Sequence, residues 1–191
     1  MLMPLAQRSS GDMEWVQKSG FQWSFELRQA DSVFATLEWR SSFGTLATAR
    51  TESGSWTFKR VGFWSPRVTV RREGAADDMA VFTPRGWTGA SGVLNFPDGT
   101  SIILEREGFW SSTWQFRVAP AAGSEQPGPP IVRIGDMAGL FRWRASITVV
   151  EPDHPQAPLL ACLLWYLVVL ASQDAMAATI GAVSAAGTAA S

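Results

Sequence analysis

Thirteen consecutive apolar residues, 159–171 (LLACLLWYLVVLA), stand near the end of a chain that otherwise reads as short β-strands. As an α-helix at about 1.5 Å per residue this block is roughly 20 Å long, short of the roughly 30 Å hydrocarbon core of a bilayer. It is about as tall as a strand of six or seven residues. A helix apolar on every face needs apolar surroundings on every side. The inside of a sheet closed by the rest of the chain supplies them.

The remaining composition suits such a container. At 191 residues the chain fits one all-β domain, and 46% hydrophobic residues against 17% charged ones leave ample material for a core. Ten Trp and eleven Phe against one Tyr make a heavy aromatic load. With 16 basic and 17 acidic side chains, the overall charge predicts no nucleic-acid binding. The single cysteine, Cys162, lies inside the apolar block, so no disulfide can form within the chain and a reducing, cytoplasmic setting is expected. The N-terminus (MLMPLAQRSSGDMEW) lacks the cationic start and sustained apolar core of a signal peptide.

Aromatic and β-branched runs alternate with turn residues and predict strands near 14–17, 21–28, 32–40, 44–51, 55–61, 66–72, 78–84, 91–96, 101–106, 113–118, 137–143 and 145–150. Alternation is clear where Trp56, Phe58 and Arg60 share one face and Ser55, Thr57 and Lys59 the other. Such two-sided strands belong to an antiparallel sheet with one wet face. Residues 120–130 (PAAGSEQPGPP) read as a loop. The expected organisation is an N-terminal arm (1–13), a barrel (14–173) with its central helix at about 155–173, and an Ala-rich tail (174–191), frayed or disordered.

An internal echo supports the β reading. The segment RVGFWS at 60–65 recurs as REGFWS at 106–111, 46 residues later, and each copy lies between two predicted strands. Gly62 and Gly108 supply backbone latitude, and the Phe-Trp pairs are expected to cap the barrel end.

Twelve strands about 4.8 Å apart and tilted about 40° enclose a barrel roughly 24 Å across. Inward side chains fill a barrel of about eight strands, so this one needs a further filler. One helix of 10–12 Å diameter provides it. Asp153 is placed to cap the helix start, with Pro155 and Pro158 tolerated in the first turn.

The order of elements, the strand FQWSFELR at 21–28 and the apolar helix arriving last resemble the tubby C-terminal-like superfamily, which includes tubby domains, phospholipid scramblases and plant LURP-one-related proteins. The segments ATLEWR at 35–40 and GSWTFKRVGFW at 54–64 are similar to compact bacterial members. The resemblance covers roughly 14–173 and implies a twelve-stranded barrel around a central hydrophobic helix. Tubby domains bind phosphoinositides and scramblases act at membranes, so it also implies a lipid-facing role. No tubby cation is carried over to a position here. The scramblase calcium-binding segment and cysteine cluster have no counterpart.

Enzymatic chemistry finds little support. His154 is the only histidine and makes no metal-site spacing with Cys162, eight residues away. Asp153-His154-Pro155 reads as a turn and cap. No nucleophile elbow, phosphate-cradling loop or dinucleotide fingerprint occurs, and no cofactor is implied. Local charge is more informative. From Arg40 to Arg72 there are seven cations and one acid, Glu52, a balance of +6 against −7 for the rest of the chain. Lys59, Arg67 and Arg71 fall on polar strand faces, with Arg72 adjoining them, and such a patch attracts anionic headgroups. The alternative is that they face acids such as Glu105, Asp77 and Asp78 and are merely solvated. Arg60 and Arg106 fall on the apolar face, at the rim. Trp87 and Trp110 are either exposed anchors or rim packing.

The expected function is a non-catalytic binding module, cytoplasmic and peripheral to a membrane, meeting anionic lipid or an acidic partner through Lys59, Arg67, Arg71 and Arg72. The alternative is a membrane tether spanning 159 to about 186, against which Gln173 and Asp174 in mid-span argue.

Overall fold

The computed structural model describes residues 1–7, 11–19, 22–42, 44–85, 91–107, 113–120, 126–138 and 143–188. After a short 3-10 helix, Leu5–Gln7, the strands are β1 (Met13–Ser19), β2 (Gln22–Gln29), β3 (Ser32–Trp39), β4 (Ala47–Thr51), β5 (Gly54–Val61) and β6 (Arg67–Arg72). They continue as β7 (Ala80–Arg85), β8 (Ser91–Asn95), β9 (Ser101–Arg106), β10 (Trp114–Val118), β11 (Pro130–Ala138) and β12 (Arg144–Val149). One helix, α1 (Ala157–Thr188), ends the described chain. Each strand pairs antiparallel with its sequence neighbours, and β1 pairs with β12, which closes the barrel.

Alternation sorts the side chains between wall faces. Trp56 and Phe58 on β5 are buried while Lys59 is exposed. Across from them β4 presents the small residues Ala49 and Ala47, directly opposite Trp56 and Phe58. Small against large lets the rings lie over the neighbouring strand and reach the helix without a void.

Residues 157–170 of α1 are all buried inside this wall. Trp165 and Tyr166, adjacent in sequence, point to different sectors of it. Trp165 stacks on Trp15 at 6.2 Å and meets Phe25 edge-on at 5.4 Å. Tyr166 stacks on Trp39 and touches Phe58, both at 5.3 Å, and its hydroxyl donates to the Thr45 carbonyl at 2.6 Å. Burial pushes the Tyr166 phenol and the Cys162 thiol well above their ordinary ranges, so both stay neutral. The indole N–H groups of Trp15, Trp39 and Trp165 are buried without a hydrogen-bond partner. An unpaired donor costs about 1–3 kcal/mol, whereas burying about 150–250 Å² of aromatic surface at about 25 cal/mol per Å² contributes about 4–6 kcal/mol. Filling wins over polar satisfaction.

Three expectations need correction. The eleventh strand is Pro130–Ala138, not 137–143. A proline is tolerated as the first residue of a strand, and Pro130 sits at a register shift opposite Arg117, so the Pro-rich composition concealed where the ladder begins. The helix does not stop near 173 but continues to Thr188, because Ala-rich sequence has high helix propensity even past the wall. Asp153 is exposed and does not cap that helix. His154 Nδ1 accepts the Gln156 N–H at 3.2 Å instead, and the Gln156 carbonyl accepts the first helical bond from Leu160 at 2.8 Å.

Candidate functional site

The topology gives the barrel two unlike mouths. The helix enters where β12 ends and β1 begins, the inlet, and leaves through the outlet, where the odd-numbered strands end. The described connections at the inlet carry Asp31, Glu52, Asp77, Asp98, Glu151 and Asp153, and no lysine or arginine. Leu5 of the N-terminal arm is buried there, and the Met3 N–H donates to the Val33 carbonyl at 2.9 Å.

The departing helix shares the outlet with a cluster of aromatic rings. Trp23, at the start of β2, lies 6.3 Å from Trp39 and 6.0 Å from Trp143. Gln17 stitches the same mouth, its side chain donating to the Gln22 carbonyl at 3.0 Å and accepting the Trp143 N–H at 3.2 Å. Arg60, one-third exposed, reaches the rim and pairs with Asp174 of the departing helix at 2.5 Å. That fits its expected rim position, with a carboxylate as its partner.

With the mouth already filled, Phe63 and Trp64 of the β5–β6 connection have nothing left to cap. They project outward, 88% and 91% exposed, against each other at 5.2 Å and nearly perpendicular. This overturns the expectation that the pair caps the barrel end. Gly62 sets the bend with a φ of +85°, and a Cβ there would come within 2.6 Å of the Ser65 carbonyl oxygen. Gly108, Phe109 and Trp110 of the second copy lie outside the described residues, as does Trp87.

The four candidate cations separate. Lys59 and Arg67 are exposed neighbours on the outer wall, since Lys59 lies opposite Thr69 and Arg67 opposite Val61. Neither has an ion-pair partner among the described residues. Arg71 lies further toward the inlet, opposite Thr57, and its Nε donates to Asp78 at 2.6 Å. Arg72 falls on the other parity, opposite Trp56 at the inlet end of β6. Arg50 is held by Glu73 at 2.6 Å and Glu38 at 3.6 Å. Glu105 meets Arg117 at 4.0 Å instead of any of the four. Arg106 is exposed at the outlet end of β9.

Sequence reasoning missed a further group. A groove of about 340 Å³ at the outlet rim is lined by Gln22, Trp23, Ser24, Glu38, Trp39, Arg40, Ser41 and Ser42. Arg40 is exposed and has no ion-pair partner among the described residues. Its signal in the sequence was the Arg-Ser-Ser run after a strand, a cation next to two small donors.

Among the described residues the arrangement offers charge, hydroxyls and aromatic surface. Among the described residues no group of His, Cys, Asp and Glu could hold a metal ion. Glu26 is the most buried carboxylate among the described residues. Its burial raises the pKa, but hydrogen bonds from Lys18 and Arg28 outweigh that and hold it below the ordinary carboxylate range. It is a compensated structural charge, not a poised acid. The chain matches no protein-family model, no curated protein and no solved structure.

Proposed function

We propose that this protein is a non-catalytic binding module of tubby-like architecture that recognises an anionic surface, phospholipid headgroups foremost, through Lys59 and Arg67. One observation carries the reading. These two cations are diagonal neighbours on the outer wall near the outlet, with no ion-pair partner among the described residues, while Arg50 and Arg71 are engaged by Glu73, Glu38 and Asp78. Arg40, at the same mouth, adds a third cation in a groove that it shares with the Ser41 and Ser42 hydroxyls and the Glu38 carboxylate. Each cation close to an anionic leaflet contributes about 1 kcal/mol.

The test is co-sedimentation with vesicles of phosphatidylcholine and phosphatidylserine, against phosphatidylcholine alone. Wild type is expected to bind the anionic vesicles only and to release as salt rises. Lys59→Glu with Arg67→Glu should weaken binding by about 30-fold or more. Arg71→Glu should have a smaller effect, since Asp78 already engages that side chain. Equal binding by the Lys59/Arg67 double variant, or none by wild type, removes the reading.

The spanning alternative rests on residues 157–179, which are long and apolar enough to cross a membrane by length and composition, a test that a buried core helix also passes. Spanning would require withdrawing residues 157–170 from the barrel and placing Asp174 in the bilayer. Carbonate extraction discriminates, since a spanning protein stays in the membrane pellet.

A further inference from the structure

We infer that the outlet mouth is a membrane-docking end, at which Phe63 and Trp64 enter the interfacial zone of an anionic bilayer and fix the barrel's orientation on it. The inference rests on the anionic-surface reading above and adds which end faces the lipid and what holds it there. Two independent features carry it.

The first is the β5–β6 tip. Apart from the chain-terminal Met1, Phe63 and Trp64 are the most exposed large apolar side chains among the described residues. An edge-to-face Phe-Trp pair on a glycine-set bend is preorganised for water's loss, because the rings already support each other and the bend admits no other residue without a clash. Tryptophan favours the headgroup level of a bilayer, where its ring is buried and its N–H stays hydrated. The strands feeding this tip bring Lys59 and Arg67 within one or two residues of its base. Apolar tip and cationic collar therefore meet the acyl boundary and the phosphates together.

The second is the helix. Beyond Asp174, paired to Arg60 at the rim, α1 runs from 175 to 188 with no charged side chain, a rod of about 21 Å leaving through the same mouth. Residues 175–179 are exposed, Met176 among them at 52%. No charge on this extension would have to be desolvated as the mouth approaches lipid. The inlet is the opposite. Its acidic connections would be repelled by an anionic leaflet, so the charge distribution orients the barrel with the outlet down.

The experiment uses the full chain with vesicles of phosphatidylcholine and phosphatidylserine. Phe63→Ala with Trp64→Ala should weaken partitioning by about 10- to 100-fold, leaving a residual binding that salt abolishes. Both sites are exposed, so the far-UV spectrum and thermal midpoint should stay at wild-type values. Trp64→Phe tests depth without losing the anchor. Lipids brominated near the headgroup end of the chain should quench wild-type fluorescence more than that of the variant. If the alanine variant binds like wild type and the quenching is unchanged by Trp64→Phe, the docking end is wrong, even where Lys59/Arg67 reversal still abolishes binding. If wild type binds neither vesicle, the inference and the reading beneath it fall together.

Discussion

At the scale of single residues, the wall tolerates no generic substitution where backbone and ring approach closely. Gly92 on β8 faces inward beneath Phe82, and a Cβ there would lie 2.4 Å from the ring and 2.6 Å from the Thr83 carbonyl oxygen. The ring can shift at the expense of its own packing, but the carbonyl belongs to the ladder. Gly92→Ala should therefore destabilise the protein by about 1–3 kcal/mol, the range for overpacking a dense core. Urea titration measures it, and Phe82→Leu supplies the second corner of a double-mutant cycle. Relief of the clash by the smaller side chain should give a coupling of about 0.5 kcal/mol or more. Strict additivity would mean that the carbonyl alone sets the penalty. Glycine at 92 showed no special signature in sequence, because neither its neighbours nor its alternation reveal which ring lies above it. Gly62 was legible because a turn was already expected between two strands.

At the scale of elements, the apolar block predicted both its own burial and the closure of the sheet around it. Truncation before Pro158 should thus remove the filler and leave twelve strands facing a cavity that side chains cannot close. The product should be insoluble, or compact with retained far-UV signal, lost near-UV signal and dye-accessible apolar surface. A soluble truncation that unfolds cooperatively would show that the wall stands without its helix. Strand periodicity located eleven of the ladders to within a few residues, since wet and dry faces write alternation into the chain. It failed for β11, whose sequence PIVRIGDMA opens with a proline, carries a Gly135-Asp136 irregularity and follows a Pro-rich loop. It also failed for the helix terminus, because propensity sets how far an Ala-rich helix runs once packing has ended. The Phe63-Trp64 pair is legible as part of a repeat, but the sequence places it as a cap on the barrel end. Hydrophobicity says that a ring prefers burial and is silent on whether room remains, and here α1 leaves through the same mouth beside the Trp23, Trp39 and Trp143 cluster while Phe63 and Trp64 stay exposed.

At the scale of the whole molecule, the sorting of charge and aromatics between two mouths could not be read from the sequence, because it emerges only when alternate connections are assigned to opposite ends. Closure has a dynamic consequence as well. The last element in the chain is the centre of the fold, and the wall that surrounds it is sealed by the pairing of its first strand with its twelfth. Amides of residues 160–169 have no route to water while that seam is shut. Their exchange should therefore proceed by the same global opening as the amides of β1 and β12, with one free energy and one steep dependence on urea. Amides at 174–179, beyond the rim, should exchange much faster and without that dependence. Native-state hydrogen exchange followed by mass spectrometry resolves the two classes. The revealing outcome would be helix amides that exchange with little urea dependence while β1 and β12 stay protected. The helix would then slide from an intact wall, and its passage into a bilayer would cost far less than unfolding the barrel. Joint exchange of helix and seam instead means that the apolar rod and its container form a single cooperative unit, which leaves no core released from an intact wall.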